Sequence, residues 1–434
     1  VSEPLYLDHA ATTPVRDEVA AAMEEARRTA FANPSSPHAA GRLARGVLED
    51  CRERILAGLG GRQGSATTAD RLIFTSGATE ANHLALLGTA GRGRDGSGNI
   101  GRGRDGSGNI GRGRDAPGLI GHSPRDHASI AAAAAELAVG GWEAAVLPLD
   151  PRGAIDLTAF AAVAAARPAA RRMLLATTLV CGQTGLVEDM GAVASLALAF
   201  PGLAIHVDAT QAVPVLEITF ERLPAATLTI APHKFGGPRG IGGLLVRGGV
   251  AVEPLMPGSQ EGGLRGGTEP VALAVGFATA LECCNAERAR DIERLEALRN
   301  RFETRLAVAV GRESARVLPT PAPGPQGLLV LGGDTPAVAR AAHISTVILE
   351  GIDRQAFVMA ADRAGICCAT GTACASGSTE PAPAVAAVAA ATGLPATASQ
   401  SAVRFSFGRG TTTAMIDAAV ARLAELVARL APRC

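Results

Sequence analysis

A single lysine stands in this chain of 434 residues, among 41 lysine and arginine residues together. It is Lys234, in the run Ala-Pro-His-Lys-Phe-Gly-Gly-Pro-Arg-Gly (231–240). For surface charge the two cations are nearly exchangeable, so a position that keeps lysine asks for something a guanidinium lacks. A lysine can shed its proton and attack a carbonyl as a neutral amine, forming a Schiff base, whereas arginine stays protonated. The alternative is chance survival of one surface lysine in an arginine-biased chain, and the neighbouring motifs must decide.

An aldehyde cofactor that uses such an amine, such as pyridoxal phosphate, needs a carboxylate beside its ring nitrogen to act as an electron sink. Asp208 ends the apolar run Ala-Ile-His-Val-Asp (204–208), 26 residues before Lys234. There the carboxyl end of a strand would present it to a crevice. A phosphate needs backbone N–H groups at a helix start together with a hydroxyl. The segment Phe-Thr-Ser-Gly-Ala-Thr-Glu-Ala-Asn (74–82) passes from strand through glycine into a helix, with Thr79 in its first turn. Taken singly, Ser-Gly-Ala-Thr reads as an ordinary helix cap and a strand-end Asp as an ordinary turn former. Their order along the chain is what carries weight.

The elements that must hold these groups follow an α/β pattern. Short apolar runs at 71–75, 172–177, 203–207 and 242–246 read as buried strands alternating with Ala- and Leu-rich helices, which implies a largely parallel sheet covered on both faces. A long helix over about 270–309 leads to shorter strands at 326–331 and 402–407 and a final amphipathic helix over about 413–431. The expected architecture is a large α/β domain over 15–285 and a smaller α+β domain from 1–14 and 286–434. The exact repeat Gly-Arg-Gly-Arg-Asp-Gly-Ser-Gly-Asn-Ile, within 91–118, offers no apolar face and reads as a mobile surface insert.

Apolar residues make up 47% of the chain and the formal net charge is zero, which argues against nucleic acid or an anionic membrane as the main partner. The first residues show no charged-then-apolar leader and no apolar run is long enough to span a bilayer, so a soluble, cytoplasmic protein is expected. Eight cysteines in this length do not make a disulfide scaffold. Cys367 and Cys368 fall in a strand-like run and are expected to be buried. With Cys374 and His343 they match no common zinc spacing, so no metal is expected.

Nine motifs in register resemble the cysteine desulfurase and selenocysteine lyase family, class V aminotransferases that use pyridoxal phosphate. They are Asp-His-Ala-Ala-Thr-Thr-Pro (8–14), Asn-Pro-Ser-Ser (33–36), Gly-Ala-Thr-Glu (77–80), Asp126-His127, His-Val-Asp-Ala-Thr-Gln (206–211), His233-Lys234, Arg-Gly-Gly-Thr (265–268), Thr-Gly-Thr-Ala-Cys (370–374) and Arg-Phe-Ser-Phe-Gly-Arg (404–409). The resemblance implies pyridoxal-phosphate fold type I, with a seven-stranded-type, mainly parallel sheet in the large domain. It implies that Lys234 holds the cofactor, Asp208 pairs with its ring nitrogen, Gln211 meets its phenolic oxygen, and His127 stacks on the ring and shuttles protons. Ala78, Thr79 and His233 would bind the phosphate, and Thr268 would reach the phosphate of a neighbouring subunit in a homodimer. Arg404 would clamp the substrate carboxylate, with Asn33 also on the substrate side. Cys374 sits in Thr-Gly-Thr-Ala-Cys-Ala-Ser-Gly-Ser (370–378), a loop with no bulky side chain to pack it down. That freedom suits a nucleophile that takes sulfur from L-cysteine and passes it to an acceptor protein or thiol; a small-residue turn with an incidental thiol is the competing reading.

The chain departs from the family pattern in three places, at four positions. Gly182 stands where the family has a cofactor-contacting asparagine, with Gln183 replacing a carboxylate beside it. Ala231 replaces a phosphate-binding serine, and Gly266 replaces another serine. Selenocysteine lyase and a catalytically weakened scaffold are therefore the alternatives to a cysteine desulfurase serving iron–sulfur cluster or thio-cofactor assembly.

Overall fold

The computed structural model describes residues 4–65, 68–91, 118–167, 172–312, 314–318, 327–332, 339–371 and 380–431. The glycine–arginine repeat and Cys374 lie outside the described residues. The early helices are α1 (Asp17–Thr29) and α2 (Ala39–Gly58). Then β2 (Arg71–Thr75), α3 (Ala78–Ala90), β3 (Leu119–His122), α4 (Ala128–Val139), β4 (Glu143–Val146), α5 (Leu157–Ala165), β5 (Met173–Thr178), α6 (Met190–Ala199), β6 (Leu203–Asp208), β7 (Thr227–Ile230) and β8 (Gly242–Val246) build a seven-stranded sheet. Its order is β2-β8-β7-β6-β5-β3-β4. Only β8 runs against its neighbours β2 and β7. The sheet anticipated from the alternating pattern is thus present, mainly parallel, with strand positions within a residue of those read from the sequence.

This topology explains where chemistry can occur. Parallel strands joined by helical crossovers bring their carboxyl ends to one rim. From that rim β2 leads to Ala78, β3 to His127, β5 to Gly182, β6 to Gln211 and β7 to Lys234. Gly242 on β8 lets the start of α3 close in: a Cβ there would lie 2.6 Å from the carbonyl carbon of Gly77.

The 39-residue α7 (Val271–Ala309) joins this layer to the rest. In its first half Phe277 packs on Phe74 of β2 and on Phe235, with ring centroids 6.4 and 6.2 Å away. In its second half Phe302 packs on Phe405 and Phe407 at 4.8 and 5.5 Å. Burying each phenyl contributes roughly 1.5–3 kcal/mol, so one helix is anchored in two places. A second sheet contains β9 (Ser314–Leu318), β10 (Gly327–Leu331), β11 (Ile344–Ile348) and β13 (Ala402–Ser406), in the order β13-β11-β10-β9. Helices α8 (Arg354–Arg363), α9 (Pro383–Ala391) and α10 (Thr413–Leu430) complete this part. No helix among the described residues is long and apolar enough to cross a membrane.

One short pairing changes how the site is built. The β1 strand (Leu5–Tyr6) pairs in parallel with β12 (Ile366–Cys367). Because this is a two-stranded ribbon rather than an interior strand, Cys367 and Cys368 are half-buried, not buried as expected. From β1 the chain runs as a strap, residues 8–16, into the rim described above.

Candidate functional site

The strap is held from both sides. The Tyr6 hydroxyl contacts the carbonyl oxygens of Asp8 and Thr12 at 3.1 and 2.8 Å. Asp8 Oδ1 pairs with Arg404 at 2.7 Å, and the Ala10 N–H donates to Ser406 Oγ at 2.8 Å. On the other side the Thr13 hydroxyl donates to the carbonyl of His233 (2.9 Å) and accepts from the Gly236 N–H (2.8 Å).

Lys234 and Gln211 meet on this strap. Lys234 Nζ donates to the carbonyls of Ala10 and Ala11 at 2.6 and 2.9 Å, and Gln211 Nε2 donates to Ala10 at 2.7 Å. Gln211 Oε1 faces His343 Nε2 at 3.3 Å. A cavity of about 370 Å³ borders Lys234, between the strap, α7 and residues 407–410. Asp208 and His127 do not line it, so it lies beside the group they form.

Asp208 and His127 are linked through side chains to which the sequence reading gave no role. Asp208 Oδ1 accepts the Thr210 N–H at 2.9 Å, and Oδ2 accepts Asn82 Nδ2 at 2.9 Å. Asn82 Nδ2 also reaches Ser129 Oγ at 2.9 Å, which in turn lies 2.8 Å from His127 Nδ1. Asn82 Oδ1 faces His206 Nε2, and His206 Nδ1 faces the Thr227 hydroxyl, both at 2.9 Å. The available signal was a lone amide in the apolar stretch of α3, where Asn82 is fully buried.

The phosphate-side residues are more open. Gly77 is the N-cap of α3 without a side-chain cap among the described residues, leaving its first N–H groups available to an anion. Thr79 in that turn is exposed, beside half-buried Ala78. His233 Nδ1 lies 3.2 Å from Thr12 Oγ1. Thr268 is exposed, on a loop tied to α3 by the ion pair of Arg265 with Glu80 at 3.0 Å. Asn33 is not gathered with these groups: it is exposed and its Oδ1 caps the Ser35 N–H locally at 2.8 Å.

Arg404 is buried, at 3% exposure. Its guanidinium meets the Gly182 carbonyl at 2.8 Å as well as Asp8, and its buried Nε is without a partner among the described residues. The departures at 182 and 183 have local reasons. A Cβ at Gly182 would stand 3.2 Å from Gln211 Cγ and Nε2, so a larger residue there would require Gln211 to give by a few tenths of an ångström. Gln183 Oε1 accepts the Ala384 N–H at 3.2 Å at the start of α9, a task that a neutral amide performs.

Burial dominates the titration of this region. It holds His9, His206 and His233 down at about 4 and His343 at about 3, against 6.5 for a free imidazole. It pushes Asp126 up to about 6 from 3.8, against the opposing hydrogen bonds from Ser123 and Thr178. Between pH 6.5 and 4 the unfolded chain therefore takes up four histidine protons that the folded chain refuses, and stability falls as the pH falls. Asp126 works the other way between about 6 and 3.8, because its folded form binds the proton first. Four groups outweigh one: the urea midpoint should drop steadily from pH 7 to pH 4.5, and a flat profile would refute this.

The donor set suits an anionic, aldehyde-bearing ring. An amine, a strand-end carboxylate, an amide and an imidazole stand on adjacent loops of one rim, with an uncapped helix start beside them. The comparisons agree. The aminotransferase class-V family model matches residues 5–99 and 118–320. A cysteine desulfurase of Rhodobacter capsulatus is 34% identical over 99% of this chain and 97% of its own length. An IscS-like cysteine desulfurase of Mycobacterium tuberculosis is 30% identical over 98% of this chain and 96% of its own. A solved NifS-like protein shares the fold, with a TM-score of 0.79 at 23% identity, across 98% of this chain and 100% of that one. On near-complete coverage by these relatives, and with Ala78, His127, Gln211 and Lys234 on one rim, the chain belongs to the class-V aminotransferase family, among its cysteine desulfurases.

Proposed function

We propose that the protein is a pyridoxal-phosphate-dependent cysteine desulfurase that converts L-cysteine to L-alanine and passes the sulfur, through a persulfide on Cys374, to an acceptor protein or thiol. Iron–sulfur cluster or thio-cofactor assembly is the process it would serve, as a cytoplasmic homodimer with Thr268 completing the partner's site. The division into a large domain at 15–285 and a small one from 1–14 and 286–434 belongs to the same reading. The observation that carries it is the meeting of Lys234 and Gln211 on the Ala10 carbonyl, with Asp208 at the end of the same strand that leads to Gln211.

Lys234 would hold the cofactor, with Asp208 at its ring nitrogen, Gln211 at its phenolic oxygen, and Ala78, Thr79 and His233 at its phosphate. When bound, pyridoxal phosphate supplies an electron sink that lets the Cα–H bond of an amino acid ionise. The remaining work falls to side chains. Arg404 holds the substrate carboxylate, for which its unpartnered Nε is a spare donor. Burial keeps His233 neutral at pH 7, so it contributes a hydrogen bond rather than a charge. Lys234 Nζ and His127 Nε2 are the groups that take and return protons at the substrate carbons. Cys374, as a thiolate, attacks the substrate sulfur: the S–S bond forms as the Cβ–S bond breaks, and Cβ takes up a proton to give alanine.

The test is to incubate the cofactor-loaded protein with L-cysteine and a thiol reductant. Equimolar alanine and sulfide are expected, and absence of both would overturn the assignment. L-selenocysteine run beside it separates a desulfurase from a selenocysteine lyase by the ratio of kcat/KM values.

A further inference from the structure

With His127 Nδ1 as the acceptor, the hydrogen bonds around Asn82 run in one direction. The Ser129 N–H donates to His127 Nδ1 at 3.2 Å, and a backbone N–H has no other role, so Nδ1 presents a lone pair and a ring proton sits on Nε2. The Ser129 hydroxyl, 2.8 Å from that same lone pair, therefore donates to it and must accept from Asn82. Asn82 spends one Nδ2 hydrogen there and the other on Asp208 Oδ2. The reverse amide orientation would set Oδ1 against the Asp208 carboxylate, so the orientation is fixed by chemistry. Oδ1 then accepts from His206 Nε2. Every polar atom of this fully buried amide is used, across α3, α4 and β6.

We propose that Asn82 is a positioning residue that ties together the two groups flanking the cofactor ring, orienting Asp208 Oδ2 directly and, through the Ser129 hydroxyl, reinforcing the hold on His127 Nδ1 that the Ser129 N–H begins. The inference rests on the cofactor reading given above. One carboxamide tethers both the carboxylate at the ring nitrogen and, through the Ser129 hydroxyl, the imidazole, so neither drifts while the other is engaged. An apolar side chain of the same size would fill the space but supply neither donor.

The test has two arms. Histidine-selective 15N NMR on protein without cofactor, with the resonance assigned by His127→Gln, reads the tautomer in the wild type, Asn82→Leu and Ser129→Ala. His127 Nδ1 should be unprotonated in the wild type, and its hydrogen-bonding shift should change in both variants, which lose or loosen the Ser129 hydroxyl contact. In the second arm, pyridoxal phosphate affinity is measured for Asn82→Leu, Asp208→Asn and the double variant. Asn82→Leu should weaken binding at least about tenfold, as expected for losing a hydrogen bond to a charged group, and most of that loss should vanish in the Asp208→Asn background. Unchanged His127 resonances, or an equal loss in both backgrounds, would overturn the proposal. If Asn82→Leu fails to fold, Asn82→Ala removes the same donors without adding bulk or charge. A wild type that binds no pyridoxal phosphate would sink the functional reading, while the NMR arm would still decide whether Asn82 acts on His127.

Discussion

Lys234→Ala protein should be colourless when purified with pyridoxal phosphate, where the wild type is yellow. It should fail to release alanine from L-cysteine at a measurable rate. No other lysine exists in the chain to take its place. Borohydride reduction followed by peptide mass mapping should find the pyridoxyl adduct on Lys234 in the wild type and nowhere in the variant. The rate loss should be at least roughly 10³-fold, because one substitution removes both the anchoring amine and a proton carrier. The variant should still fold: the strap would lose the contacts of Nζ with Ala10 and Ala11 but keep those of Thr13, Asp8 and Gln211. Wild-type colour or an adduct on the variant would refute the assignment of Lys234.

Cys374→Ser should separate the two halves of the chemistry. Cofactor binding should be unchanged, since Cys374 is not among the groups assigned to the ring or its phosphate, and L-cysteine should still alter the absorption spectrum. Persulfide formation and sulfide release should fall by at least roughly 10³-fold, the scale for removing a nucleophile that acts in concert with a fixed site. Persulfide is read by mass spectrometry of the tryptic peptide spanning 374. If Cys374→Ser still desulfurates, the nucleophile lies elsewhere. Half-buried Cys367 and Cys368 would be next to examine, although burial pushes both thiols up and so away from thiolate.

What the sequence disclosed follows from the range of each signal. The strands at 71–75 and 242–246 were legible because continuous apolar runs leave little choice once helices cover both faces. Lys234 stood out as the one lysine and Asp208 as a strand-end carboxylate, whereas Gln211 was named through the family resemblance alone. Asn82 was not legible, because its meaning comes from partners 47, 124 and 126 residues away. The service of Gln183 to α9 and the pressing of Gln211 against Gly182 were hidden for the same reason. In both cases a change that reads as a loss in one dimension has a neighbour to answer to in three. Asp8 stood in a recognised motif, yet nothing in that motif announces that its carboxylate rests on Arg404, 396 residues onward.

That last pairing bears on biosynthesis. Residues 5–16 leave the ribosome well before their partners on β12, Arg404 and Ser406, the Asp8–Arg404 pair being 396 residues apart. At 5–20 residues per second the amino-terminal segment waits on the order of 20–80 s for them. The central sheet can form during that interval, but the floor beneath Lys234 cannot be laid until β12 and β13 have been made. Pulse-labelled nascent chains should accordingly acquire protease resistance in the sheet well before they can retain the vitamin, and a stalled chain that lacks β13 should never do so.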